Sequence, residues 1–170
     1  MSVLRTPRLA LSPISPGDAD AAFPEFADPG LYRWMTGAPP ASAEALREEF
    51  ARLAAGSPRE GELWLNWLAR RFDDGVLVGW HQATVIGTHA DVAWVTFGGH
   101  RRRGYAREGA AAMIAWLAGR GVRDLVAQAD LRNEASAATA ASLGFVADAR
   151  TVAESLRGEA TVDRVWRLRV

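Results

Sequence analysis

The sequence predicts an α+β domain, and three observations carry that reading. Runs such as "ELWLNWLARRF", "GVLVGWHQAT" and "HADVAWVTF" are short, rich in Val, Leu and Trp, and bounded by turn residues, as strands are. Other segments space their apolar residues three and four apart, as amphipathic helices do. The two kinds do not simply interleave: the order is strand, two helices, three strands, helix, strand, helix, two strands. That order suits a mainly antiparallel sheet with one local strand-helix-strand crossover, which would be parallel and right-handed.

Taken in order, "RLALSPI" (8–14) opens with strand alternation before Pro13 and Pro16. Ser15-Pro16-Gly17-Asp18 is a turn that starts a short helix through Phe26, which Asp28-Pro29-Gly30 stops. Ser42 caps a helix over about 42–55, with Leu46, Phe50 and Leu53 on one face and Gly56 and Pro58 closing it. Three strands follow, 62–72, 75–84 and 89–97, joined at Asp73-Asp74-Gly75 and Ile86-Gly87 and read as antiparallel neighbours. The period then changes. Ala106, Ala110, Met113, Ile114 and Leu117 share a helical face that ends at Gly119-Arg120-Gly121. "RDLVAQAD" (123–130) is a strand, Asn133 to Ser142 a helix of small residues, and after Leu143-Gly144-Phe145 come strands near 145–154 and 162–170.

Composition narrows the function. At 170 residues, 49% hydrophobic and 24% charged, the chain suits one domain over 1–170. It contains no cysteine, which excludes disulfides, thiolate zinc sites and a cysteine nucleophile, and no metal is expected. All twenty cations are Arg, a pattern that nucleotide bias in the coding sequence explains. A net charge of +0 argues against a surface built for nucleic acid or anionic lipid. No run approaches the roughly 20 apolar residues of a membrane span, and the opening residues lack a signal-peptide core, so a cytoplasmic location is expected.

The stretch "HRRRGYAREGAAAMIAWL" (100–117) holds the main chemical signal. A tight turn at Gly104 between a strand and a helix gathers unpaired N–H groups into one concavity, where the helix dipole adds about half a positive charge. Such a cradle suits a phosphate or diphosphate. Arg101, Arg102 and Arg103 supply guanidinium forks at its rim, Gly104 allows close backbone approach, and Tyr105 and Ala106 open the helix. On arrangement alone, a solvated turn or a small RNA-binding patch explains the arginines equally well.

With its neighbouring motifs, the chain resembles the GNAT superfamily of acyl-CoA-dependent N-acetyltransferases, and most closely the RimJ/RimL branch. Arg101-x-x-Gly104-x-Ala106 matches the Q/R-x-x-G-x-G/A diphosphate loop, followed by "YAREGA"; "TPRLALSPISPGDA" (6–19) resembles the branch's opening; "NEASAATAASLGF" (133–145) resembles its N-x-x-S and GF segment. The resemblance implies a three-layer fold, a mixed, mostly antiparallel sheet of about seven strands with about four flanking helices. It implies acetyl-CoA as cosubstrate and transfer to a primary amine on a protein N-terminus, a peptide or a small molecule. Val95, Thr96 and Phe97 would hold the pantetheine arm and polarise the thioester carbonyl through the backbone, and Asn133 would hold pantetheine amides or the strand end.

Without a cysteine, the amine would attack acetyl-CoA directly in a ternary complex. Asp91 and His89 are candidate bases, and Ser136 the hydroxyl near sulfur, with structural roles and helix capping as the competing accounts. Tyr32, Trp34 and Met35, between the first two helices, would shape the acceptor entrance or merely anchor that loop.

Three departures stand out: Arg102 replaces a common glycine, Gly98 a common proline, and Ala140 the tyrosine that often serves as proton donor. The last leaves a catalytically silent acyl-CoA sensor as an alternative to an enzyme. An antibiotic or other small-amine acetyltransferase is a further alternative. The closing strand "RVWRLRV" offers an apolar edge for a homodimer.

Overall fold

The Val- and Trp-rich runs form one continuous sheet. The computed structural model describes residues 2–156 and 158–170, and its strands are Leu4–Arg5 (β1), Leu9–Pro13 (β2), Glu62–Arg71 (β3), Leu77–Ile86 (β4), His89–Thr96 (β5), Asp124–Asp130 (β6), Val146–Leu156 (β7) and Glu159–Arg169 (β8). They lie in the order β1-β2-β3-β4-β5-β6-β8-β7, with every neighbouring pair antiparallel except β5 and β6. That parallel pair flanks the expected crossover. β1 is an addition to the expected set, since two residues are too few to show alternation. The last two strands run past the expected limits because they form a long hairpin, and β8 lies between β6 and β7, so the closing "RVWRLRV" is not the free edge expected of it.

Four helices cover the sheet: Ala19–Phe26 (α1), Ala43–Ala55 (α2), Tyr105–Ala118 (α3) and Glu134–Ser142 (α4). Ser42 caps α2 as expected, its hydroxyl accepting from the Ala45 N–H at 3.1 Å. Strand alternation splits the apolar residues into two cores, one on each face. Leu9, Leu11, Trp67 and Val92 pack against Met113 and Leu117 of α3, while Leu68, Trp80, Val95 and Phe97 pack against Phe26 of α1 and Phe50 of α2. In the second core, Phe26 meets Phe50, Trp80 and Phe97 at centroid distances of 5.3–5.5 Å, where offset aromatic contacts are favourable.

His81 of β4 is the one fully buried imidazole among the described residues. It sits under α3, where a Cβ on Gly109 would lie 2.4 Å from its Nε2, so the helix needs a glycine there. Burial pushes its pKa down to about 4, although the Ala106 carbonyl at 3.4 Å favours the charged form. The unfolded chain protonates this group near pH 6.5, whereas the folded chain does so only near pH 4. Stability is therefore full above pH 6.5 and falls as the pH drops towards 4, by about 2 kcal/mol at pH 5. Urea midpoints at pH 7 and 5 check this: the midpoint at pH 5 is lower, and His81→Gln narrows the difference.

Candidate active site

The sheet opens where its pairing changes. β5 pairs with β6 only over His89–Asp91 and Asp124–Val126; beyond that, β6 stays with β8 and β5 with β4. A cavity of about 680 Å³ occupies the notch, with Val92 to Thr96 on one side and Ala127 to Ala129 on the other. Its size is that of a small-molecule site.

Backbone geometry decides which groups face it. The Phe97 N–H donates to the Val78 carbonyl of β4 at 3.0 Å. Successive residues turn their N–H and C=O to opposite edges, so Val92, Trp94 and Thr96 present theirs to the notch, and Val95 points back to β4. Thr96 therefore offers backbone groups where the sequence places them, and Val95 borders the cavity without doing so. Phe97 is a correction: its side chain is fully buried in the second core and does not line the cavity.

The start of α3 forms the next wall. Gly104, at φ 80° and ψ 6°, is the N-cap and supplies no side-chain acceptor, so the first-turn amides keep no cap and face the loop. Arg102 also has a left-handed backbone, at φ 63°, unusual for a non-glycine residue. A glycine would adopt this conformation without strain; here the position carries a guanidinium instead.

Arg101, Arg102, Gly104, Tyr105 and Ala106 all border the cavity. Arg101 reaches the Thr96 carbonyl at 3.5 Å and the Gly30 carbonyl at 3.4 Å, long contacts at the edge of hydrogen bonding. Arg103 is a correction, since it does not line the cavity and its carbonyl accepts from Arg8 Nη1 at 3.1 Å. Arg107, one helical turn on, takes that place.

A brace holds this loop from behind. Glu108 accepts from the Thr6 hydroxyl at 2.6 Å, from the Arg8 N–H at 2.9 Å and from Arg8 Nε at 2.6 Å, while the Arg8 guanidinium lies 4.8 Å over the Tyr105 ring. Burial raises the pKa of Glu108, but these hydrogen bonds outweigh it and leave the group below its ordinary value. The "TPR" and "YARE" motifs are thus two halves of one contact, joined across about a hundred positions of the chain.

Asn133 and Ser136 line the cavity from α4. The capping account holds for Asn133, whose Oδ1 accepts from the Ser136 N–H at 3.2 Å. Ala140 is buried in the first core and brings no hydroxyl. On the opposite face, Trp34 and Met35 line the cavity, and the guanidinium groups of Arg33 and Arg132 lie 4.8 Å and 5.5 Å from the Trp34 ring centroid. Tyr32 is a correction: its hydroxyl donates to the Phe26 carbonyl at 3.0 Å, which anchors the loop in the second core.

The two candidate bases also need correction. His89 and Asp91 pair with each other at 3.6 Å, with side chains 42% and 59% exposed, at the paired end of β5 and outside the cavity. Sequence reasoning missed Gln82, His100, Gln128 and Asp163, which do border it. Alternation along β4 marks Gln82 as facing away from the first core, whereas Asp163 has no motif near it.

The cavity fits a long, partly anionic ligand. Among the described residues, Trp94 Nε1 and His100 Nδ1 on its wall are buried without a hydrogen-bond partner, and the uncapped amides and guanidinium groups gather at one end. Residues 8–146 match the family model of the acetyltransferase (GNAT) domain. No curated protein sequence matches the chain. Solved structures with the same fold include RimL, a ribosomal L7/L12 alpha-N-protein acetyltransferase in complex with coenzyme A, at 17% identity, 99% coverage of this chain, 98% of that one and a TM-score of 0.87. They also include a ribosomal-protein-S5-alanine acetyltransferase from Vibrio fischeri (16%, 99%, 97%, 0.85) and a GNAT-family acetyltransferase from Bacillus anthracis (14%, 99%, 98%, 0.84). At these identities the structures speak for the fold alone, while the family model spans most of the chain. The protein belongs to the GNAT acetyltransferase family.

Proposed function

We propose that the protein transfers the acetyl group of acetyl-CoA to a primary amine, as a RimJ/RimL-like N-acetyltransferase acting by direct attack in a ternary complex. The observation that carries this reading is the parting of β5 from β6 beside the uncapped start of α3. Acetyl-CoA supplies an activated thioester carbonyl and a diphosphate.

The chain's own groups divide the remaining work. The first-turn amides of α3, with Arg101, Arg102 and Arg107, hold the diphosphate. Backbone N–H groups on the free edge of β5 hold the pantetheine amides and polarise the thioester carbonyl, a kind of contact worth about 3 kcal/mol per donor in catalysis. Ser136 donates to the departing sulfur, for which a weak acid suffices because a thiol has a pKa near about 8.5. Trp34 and Met35 border the acceptor side. The RimL and ribosomal-protein relatives in fold support an acceptor presented at a polypeptide N-terminus.

Thiol release from acetyl-CoA over a panel of peptides, diamines and aminoglycosides tests the activity, and mass gain of the acceptor identifies the product. Ser136→Ala lowers kcat by about tenfold or more while leaving the calorimetric affinity for acetyl-CoA within twofold; an unchanged kcat removes Ser136 from the mechanism.

A further inference from the structure

Asp130 and Asp163 face each other across the β6–β8 pair, yet their surroundings differ sharply. Asp130 is buried and accepts from Arg132 Nε at 2.9 Å, Arg132 Nη2 at 2.7 Å and the Arg132 N–H at 2.8 Å. The guanidinium holds that carboxyl below its usual range. Among the described residues, the Asp163 side chain has no hydrogen-bond or ion-pair partner. Burial and then the negative charges of Asp130 and Glu154 push its carboxyl above the usual range. A carboxylate driven apart in titration from its cross-strand neighbour marks a candidate acid–base group when it stands at a cavity.

Asp163 stands at this cavity. Trp166 and its cross-strand partner Ala127 pack into the core beneath α3 and α4. Three residues before Trp166, Asp163 belongs to the other face of the sheet. That face carries α1, α2 and the Trp34 loop, and Gln82 and Val95 belong to it by the same alternation. The diphosphate loop and Ser136 lie towards the α3–α4 side, so a ligand reaching the notch from the α1–α2 side meets Asp163.

We propose that Asp163 receives the ammonium group of the acceptor and takes one proton from it; this rests on the amine-acetylation reading above. The proton moves from nitrogen to the Asp163 carboxylate, freeing the lone pair. The C–N bond then forms as the C–S bond breaks, its electron pair leaves with sulfur, and the second nitrogen proton ends on the thiol. Asp163 returns its proton to water on product release. Arg132 keeps Asp130 ionised, so that Asp130 and Glu154 favour a cation beside Asp163 without competing for its proton.

The test uses the full chain, wild type and Asp163→Asn, with acetyl-CoA and two probes: propylamine and an alanine-terminated peptide amide. The Asn variant lowers kcat/KM at least about 100-fold and abolishes the acidic limb of its pH profile, with acetyl-CoA affinity within twofold and the thermal midpoint retained. Asp163→Glu restores part of the rate. Independently of turnover, the carboxyl carbon resonance of Asp163 titrates above the ordinary aspartate range, and saturating propylammonium in the presence of coenzyme A lowers that titration midpoint. An Asn variant that acetylates at the wild-type rate, or a carboxyl titration that propylammonium leaves unmoved, overturns the proposal. Should the wild type acetylate no amine while the ammonium still shifts Asp163, the amine-transfer reading fails and the ammonium site stands.

Discussion

Gly79→Ala lowers the stability of the protein by about 3 kcal/mol. A Cβ at this position would lie 2.4 Å from the Val95 carbonyl oxygen, a backbone atom that cannot swing aside. Either β4 or β5 must move, in the middle of the sheet and at the edge of the notch. Relieving glycine's conformational entropy favours alanine by only about 0.5–1 kcal/mol, so the clash decides the sign. Because Val95 precedes Thr96, the same shift displaces the free edge of β5, and acetyl-CoA affinity falls with stability. Urea unfolding measures the first effect and calorimetry the second. Gly99→Ala serves as the control, since a Cβ there meets nothing within 4 Å. A Gly79→Ala protein as stable as wild type refutes the packing argument.

Gly104→Val weakens acetyl-CoA binding by about 10- to 100-fold. The residue holds φ at 80°, where a β-branched side chain costs about 1–3 kcal/mol, and each 1.4 kcal/mol is about tenfold in affinity. The chain can escape this strain only by rotating the loop, which turns the first-turn amides of α3 away from their concavity. The Thr6–Arg8–Glu108 brace resists that rotation from the other side, so part of the cost also falls on stability. Calorimetric titration with acetyl-CoA, paired with thermal unfolding, separates the two. Undiminished affinity would show that the diphosphate is held elsewhere.

Local patterns were legible wherever the relevant contact lies within a few positions. Alternation located the long strands, three- and four-residue spacing the helices, and Gly104 within its arginines the turn that opens α3. The capping of α4 was legible in the Asn133–Ser136 spacing, whereas the left-handed backbone of Arg102 carries no signal in its own residue type.

What the sequence determined by itself was therefore the helices, the longer strands, their order and the turn that opens α3, because periodicity, capping and turn chemistry act between near neighbours. Pairing in three dimensions decided the rest. Whether Val95, Thr96 or Phe97 offers backbone groups to the notch depends on which edge of β5 faces β4, a choice set by one hydrogen bond to Val78. His89 and Asp91 lie outside the cavity because β5 and β6 part only after them. Asp163 enters it because β8 returns beside β6, opposite Asp130, far along the chain from any motif. A charge's neighbours, unlike a helix's period, come from segments that meet only when the sheet closes.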